Sequence, residues 1–193
     1  MFTERKKMKI FENPNEILIR CLRKDDLFEW NEWRYQNKWA YITLNGVDLV
    51  DANLAGADLS RVNLEMVDLR NVNLTDADLS EANLAKADLS HADLMGADLW
   101  KADLEFANLL ETNLKNAQLK KANLQNAQLI RVNLASADLW RANLKGAKFI
   151  SVVVDRRTFI WGCDLDEHTV FSGGGLSQAR IEPRLIAHIM SMV

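Results

Sequence analysis

From Leu44 to Leu144 a leucine stands at every fifth position, 21 times without interruption, and Phe149 takes the next place. No regular secondary structure buries such a column. On an α-helix five residues turn the chain by about 500°, so successive leucines land about 140° apart and leave no apolar stripe. On a straight strand side chains alternate with period two, so an odd spacing sends neighbouring leucines to opposite faces. A short extended piece followed by a turn, repeated, points every leucine at one inner axis. A period this strict is the mark of a solenoid.

The flanking columns agree. The residue two before each leucine shares its face and is expected inside. That column is Ala at 15 of 22 places, with Val47, Val62, Val67, Val72, Val132, Ile42 and one polar residue, Thr112. Small side chains there fit a narrow, tightly packed interior. The residue just before the leucine is Asp nine times, Asn nine times, and Gln at Gln118 and Gln128. Two residues after the leucine stand Gly46, Asp51, Gly56, Asn71, Asp76, Gly96, Asn116, Asn126 and Gly146. These residue types tolerate positive φ and tight turns.

The A(D/N)LXX frame, as in Ala77-Asp78-Leu79-Ser80-Glu81 followed by Ala82-Asn83-Leu84-Ala85-Lys86, resembles the pentapeptide-repeat family over residues 42–151. The resemblance implies an all-β solenoid, a right-handed quadrilateral β-helix with four pentapeptides, hence 20 residues, in each coil. Coils would stack about 4.8 Å apart, the ordinary inter-strand spacing.

Stacked coils leave unpaired backbone at each end, so short capping helices are expected at both. Residues 1–12 read as a flexible N-terminus and 13–41 as a helical N-terminal cap. Asn13-Pro14-Asn15-Glu16 opens a helix, with Asn at N-cap and Pro at N1, and Ile17, Leu18, Cys21 and Leu22 form its apolar face. A second helical stretch around 26–37 carries Phe28, Trp30, Trp33 and Tyr35, with Trp39 following. These aromatics are expected to cover the first coil. The string Trp-Asn-Glu-Trp-Arg at 30–34 also resembles the lead-in helix of free-standing pentapeptide-repeat proteins. After the regular body at 42–151 the frame loosens into degenerate coils at 152–181. Leu165 and Phe171 arrive at six-residue steps there, and Gly173-Gly174-Gly175 makes a corner. Residues 182–193 read as a C-terminal capping helix, opened by Glu182-Pro183, with Leu185, Ile186, Ile189 and Met190 on one face. By resemblance this helix is also a candidate for homodimer contact through the C-terminal end.

Chemistry is sparse. Three histidines, His91, His168 and His188, have no mutual metal-binding spacing. Asp164, Asp166, Glu167 and His168 are the only local set able to hold a cation, and a solvated corner explains them as well. No nucleophile elbow, zinc motif or nucleotide loop is present, so neither an enzyme nor a cofactor or metal is expected. Cys21 and Cys163 lie near opposite ends of a stack about 30 Å long, too far apart to bridge. The apolar letters near the start are broken by Glu12, Asn13, Pro14 and Asn15, and no apolar run approaches a membrane span. A cytoplasmic location without membrane contact is the expectation.

Residues 20 apart should share a wall. Asp48, Asp68 and Asp88 then form one acidic stripe and Asp58, Asp78 and Asp98 the opposite one, while Asn53 and Asn73, with Asn63 and Asn83, form ladders between them. Trp100, Lys120 and Trp140 fall in one column, flanked by Lys101, Lys121 and Arg141. Lys120 is placed for cation–π contact with both indoles. Leu110, Ile130 and Ile150 form an outward apolar strip opposite. Residues 42–99 carry 11 acidic and 3 basic side chains, and residues 100–149 carry 4 and 8, so charge reverses along the axis. The leading expectation is a non-enzymatic scaffold presenting flat walls to a protein partner. The resemblance implies an alternative, a DNA mimic that binds and protects DNA gyrase, which the acidic stripes favour and the basic second half disfavours. Nucleic-acid binding through the Trp/Lys wall is the third reading, placed behind a protein partner.

Overall fold

The computed structural model describes residues 13–173 and 176–190. The segment expected to be flexible, 1–12, lies outside the described residues, as do Gly174 and Gly175 of the triple-glycine corner and residues 191–193. The main body advances in coils of 20 residues, joined by parallel bridges such as Asn53↔Asn73, Asp58↔Asp78, Asn63↔Asn83 and Asp68↔Asp88. Each of the four pentapeptides in a coil thus contributes one bridged column. Most bridges are single residues. Continuous strands appear only late, as β1 (Gln128–Ile130), β2 (Lys148–Ile150), β3 (Phe159–Ile160), β4 (Val170–Ser172) and β5 (Arg180–Ile181).

One repeat shows why the frame has five residues, because every N–H in it finds an acceptor. The Ala77 N–H closes the turn onto the Leu74 carbonyl at 3.1 Å. Asp78 donates back one coil to Ala57 at 3.0 Å, and Leu79 donates forward to Asp98 at 2.7 Å. The Ser80 N–H lies in the turn and donates to the Asp78 carboxylate at 2.9 Å. Glu81 donates forward to Trp100 at 2.8 Å. The Asp or Asn before the leucine is therefore the turn-former, which accounts for its recurrence.

The second residue after each frame leucine, and after Phe149, is left-handed throughout, from Gly46 to Ser151. Most of these are side chains that ordinarily avoid that region, among them Arg61, Met66, Lys86, Phe106 and Arg131. Such a conformation costs about 1–2 kcal/mol for an L-residue. It is held here because the same residue donates to the next coil, as Lys86 does to Glu105 at 2.8 Å.

All 21 frame leucines are at most 1% exposed, and the Ala/Val column packs beside them. The one polar member of that column, Thr112, is buried and donates its hydroxyl to the Leu89 carbonyl at 2.8 Å.

Before the coils stand α1 (Pro14–Lys24) and α2 (Phe28–Gln36). The Asn13 side chain accepts from the Asn15 N–H at 3.0 Å, and Ile17, Leu18 and Cys21 are buried. Helix α2 replaces the coil that would precede Asp58, using side chains in place of backbone. The Trp30 indole N–H donates to the Asp58 carbonyl at 2.9 Å, Asn31 donates to the Gly56 carbonyl at 3.0 Å, and the Asp58 N–H donates to Asn31 at 2.9 Å. Trp30 and Trp33 are buried, as a cover requires. Phe28, Tyr35 and Trp39 are not: each is more than two-thirds exposed, so the expectation that the lead-in aromatics cover the first coil holds for only part of the set, and Tyr41 is exposed as well.

Beyond β2 the register stretches. Asp138 bridges Phe159 and Asn143 bridges Asp164, a step of 21, and Lys148 pairs with Val170, a step of 22. Each longer corner is built by an Asp and a Thr three residues on. The Asp155 carboxylate accepts from the Ser136 hydroxyl at 2.8 Å, from the Ser136, Arg157 and Thr158 N–H groups at 2.9 Å each, and from the Thr158 hydroxyl at 3.2 Å. Asp166 repeats this with Gly146, His168 and Thr169. Thr158 and Thr169 are fully buried. The last elements are a 3-10 turn, Leu176–Gln178, and α3 (Pro183–Met190). Among the described residues no helix is long and apolar enough to cross a membrane.

The Asp155 corner has a pH signature. The Ser136 hydroxyl first, then the Arg157 and Ser136 N–H groups, hold this carboxyl well below the usual carboxylate range. A lowered folded pKa means that the stabilisation is fully present above the unfolded value of about 4 and is lost progressively as pH falls from there through the folded value. Asp155→Asn is therefore expected to lower the urea midpoint at pH 7, with the deficit shrinking progressively as pH falls from about 4 toward the lowered folded value. A deficit that stays constant across that range would show that the charge of Asp155 is not what matters.

Candidate functional site

The forward hydrogen bonds that stack the coils also assemble the outward columns. Glu81 donates to the Trp100 carbonyl, Lys101 to Lys120, Lys121 to Trp140 and Arg141 to Trp161, at 2.8 to 3.0 Å. Trp100, Lys120, Trp140 and Trp161 therefore lie in one column, with the left-handed residues Lys101, Lys121 and Arg141 forming a cationic ridge beside it. Trp161 escapes a count in steps of 20, which lands on Ile160, because the corner at 155–158 carries one extra residue. The β3 pairing shifts accordingly, and Trp161 is 42% exposed. Trp140 is 36% exposed and Trp100 half-buried. A second signal for Trp161 is Phe159, whose ring stacks with its indole at 6.1 Å.

The cations differ from expectation in one respect. Lys120 does not reach either indole; its ammonium lies 3.2 Å from the Asp138 carboxylate. A charged partner within reach outcompetes a ring face, which is worth about 0.5–1 kcal/mol at an exposed site. The ridge supplies the cation–π contacts instead. Lys101 lies 4.2 Å from the Trp100 ring centre, and Arg141 and Lys121 lie 5.3 and 5.7 Å from that of Trp140. Among the described residues Lys121 and Arg141 have no carboxylate partner, while Lys101 has only Glu81 at 3.9 Å. At the head of the ridge the Gly162 N–H donates to the Glu182 carboxylate at 3.0 Å. A Cβ on Gly162 would stand 3.3 Å from the Arg141 side chain, so glycine leaves room for the arginine stem.

The acidic stripes lie beside these columns, one step before the leucine. Asp58, Asp78 and Asp98 bridge on through Gln118 to Asp138, beside the Trp column, and Asp68 and Asp88, with Asp48 one coil earlier, lead through Asn108 to Gln128, beside the apolar strip. Their first task is local. Each accepts from the backbone N–H two residues on, from Val50, Ser60, Arg70, Ser80, Ser90 and Trp100, at 2.9 to 3.3 Å. Two are also paired. Arg34, itself 1% exposed, reaches Asp58 at 3.4 Å. Arg70 grips both oxygens of Asp68 and holds that carboxyl below its ordinary range.

On the opposite face Leu110, Ile130 and Ile150 follow one another through backbone pairing and are half-buried; the strip ends at Ser172, the partner of Ile150. The other two columns carry the asparagine ladders. Asn73 donates to Asn53, Asn83 to Asn63, Asn133 to Asn113 and Asn143 to Asn123, at 2.9 to 3.2 Å. All donate toward the N-terminus. Asp93 and Asp103, which accept but cannot donate, divide each ladder in two.

Asp164, Asp166, Glu167 and His168 do not converge on a cation. Asp166 is committed to its corner, and His168 faces Glu167 at 3.8 Å. Among the described residues no group of His, Cys, Asp and Glu is placed to hold a metal ion.

A family model described as pentapeptide repeats (8 copies) matches residues 40–76, 67–100, 101–134 and 127–154. No curated protein sequence matches the chain. Similar solved structures include the pentapeptide repeat protein Rfr23 from the cyanobacterium Cyanothece, 28% identical, covering 74% of this chain and 97% of that one at a TM-score of 0.45. A pentapeptide repeat protein of the Arabidopsis thaliana thylakoid lumen is 27% identical, with coverage of 45% and 66% and a TM-score of 0.41. QnrB1, a plasmid-mediated fluoroquinolone resistance protein, is 16% identical, with coverage of 79% and 97% and a TM-score of 0.31.

Proposed function

The chain belongs to the pentapeptide-repeat family, and from that premise we propose a non-enzymatic, cytoplasmic scaffold whose Trp100–Trp140–Trp161 face docks a protein partner. The body at 42–151 is read as a right-handed quadrilateral β-helix, with the segments at 13–41 and 182–193 as its covers and the looser coils of 152–181 between. One observation supports the docking face above all. Two exposed indoles and a half-buried one stand in a single column beside a cationic ridge, outside a core that the leucines already fill. Exposed Trp backed by cations is the residue chemistry of interface anchors. The acidic columns are read as turn-formers before they are read as mimics of DNA phosphates, since each carboxylate already accepts from its own turn.

The test is cross-linking of the tagged protein in extracts of its source, beside a Trp100→Ala/Trp140→Ala variant. A partner captured by the parent and lost in the variant supports the face, and identical capture by both would remove it. A supercoiling assay with a quinolone examines the gyrase alternative. Protection there that survives the same two substitutions would favour the acidic columns instead.

A further inference from the structure

We infer that the occupant of this face is a short acidic segment of the partner protein, lying along the stack from Trp100 to Trp161. The inference rests on the docking reading above and adds the chemistry of what docks. Lys101, Lys121 and Arg141 stand on successive coils, about 4.8 Å apart, and form one line of positive charge. Two of the three have no carboxylate among the described residues, so the line lacks its counter-charge. The adjoining indoles offer apolar surface at the same levels.

The face is also bounded. Below Lys101 the ridge column carries Glu81, which Arg61 of the next coil down holds at 2.9 Å, and below Trp100 stand Ser80 and Ser60 with Asp78 and Asp58 in the neighbouring column. Above Arg141 the Glu182 carboxylate already occupies the Gly162 N–H, where the carbonyl of a further coil would stand. One glutamate therefore stands at each end of the ridge, Glu81 below and Glu182 above, so the chain itself places a carboxylate at its head. Three coil steps span about 14 Å, the length of roughly four extended residues. A single-stranded nucleic acid would run on over the carboxylates below, whereas a peptide with a few acidic and apolar side chains fits between the two limits. Charge complementarity thus selects a short acidic segment over a long polyanion.

Fluorescence anisotropy tests this with the full chain and three labelled probes: a hexapeptide of alternating Glu and Leu, its Lys/Leu counterpart, and an oligothymidylate of about 12 nucleotides. The acidic peptide should bind most tightly, and its Kd should rise at least about tenfold in Lys121→Glu/Arg141→Glu. Lys148→Glu, in the column of β2, should change it by less than about twofold. Both variants alter exposed or ridge side chains, and unchanged urea midpoints would confirm that they fold. Tighter binding of the oligothymidylate would overturn the inference in favour of nucleic acid. An unchanged Kd in the double variant, or no binding of the acidic peptide, would overturn it as well. In that last case a cross-linked partner lost with Trp100 and Trp140 would leave the docking face itself standing.

Discussion

Leu84→Ala is expected to lower stability by about 2–5 kcal/mol, read from the shift of the urea midpoint. Leu84 is fully buried in the middle of the stack. The coil around it is pinned on both sides, with Leu84 donating forward to Asp103 at 2.6 Å and Asn83 donating back to Val62 at 3.0 Å. Backbone held in this way cannot close over the missing side chain, so the cost should fall in the upper part of that range. Ser80→Ala, in the preceding repeat, is the control. The turn there is made by the Ser80 N–H and the Asp78 carboxylate, not by the hydroxyl. Equal losses for the two variants would sink the assignment of inward and outward columns.

Asp58→Ala should be about as damaging, at roughly 3–5 kcal/mol, for an electrostatic reason. Arg34 is 1% exposed, and its guanidinium is held by Asp58 and by the Ser60 carbonyl and hydroxyl. Removing the carboxylate leaves a desolvated cation without counter-charge, and it also removes the acceptor of the turn at Ser60. Arg34→Met should cost less, because it removes the charge itself and leaves Asp58 with about a third of its side chain in solvent. The double variant Arg34→Met/Asp58→Ala should then be more stable than Asp58→Ala alone. If Asp58→Ala proved the mildest of the three, Arg34 would not be the desolvated charge described here.

Those two sites differ in how plainly the sequence announces them. Leu84 is legible from spacing alone, as are the Ala and Val column and the stacking of Trp100 over Lys120 and Trp140. All follow from one period and the geometry of a chain that must bury one residue in five. Asp58 looks like any member of its column, and its particular burden comes from Arg34 on a helix 24 residues earlier in the chain. Periodicity carries no information about a helix that ends the period. The period gives the column of Lys120 but not its partner, because a flexible side chain chooses among neighbours by charge. Trp161 lies one residue off the 20-step count because its corner is one residue longer. Its signal was nonetheless present, since Asp155 and Thr158 recur as Asp166 and Thr169, and each pair marks a longer corner. The exposure of Phe28, Tyr35, Trp39 and Tyr41 had no sequence signal, because composition alone does not separate covering aromatics from displayed ones.

The 20-residue register has a consequence for how such a chain can change. Inserting or deleting a single repeat would keep every leucine inside, so the fold would tolerate it. Every outward residue beyond that point would nevertheless move to the next column, and the tryptophans would part from the carboxylates that bound their face. Inserting four repeats together would lengthen the stack and leave each column in line. Length is therefore open to revision only in whole coils if a face is to be preserved, while a change of one repeat re-deals all four faces at once without touching the interior.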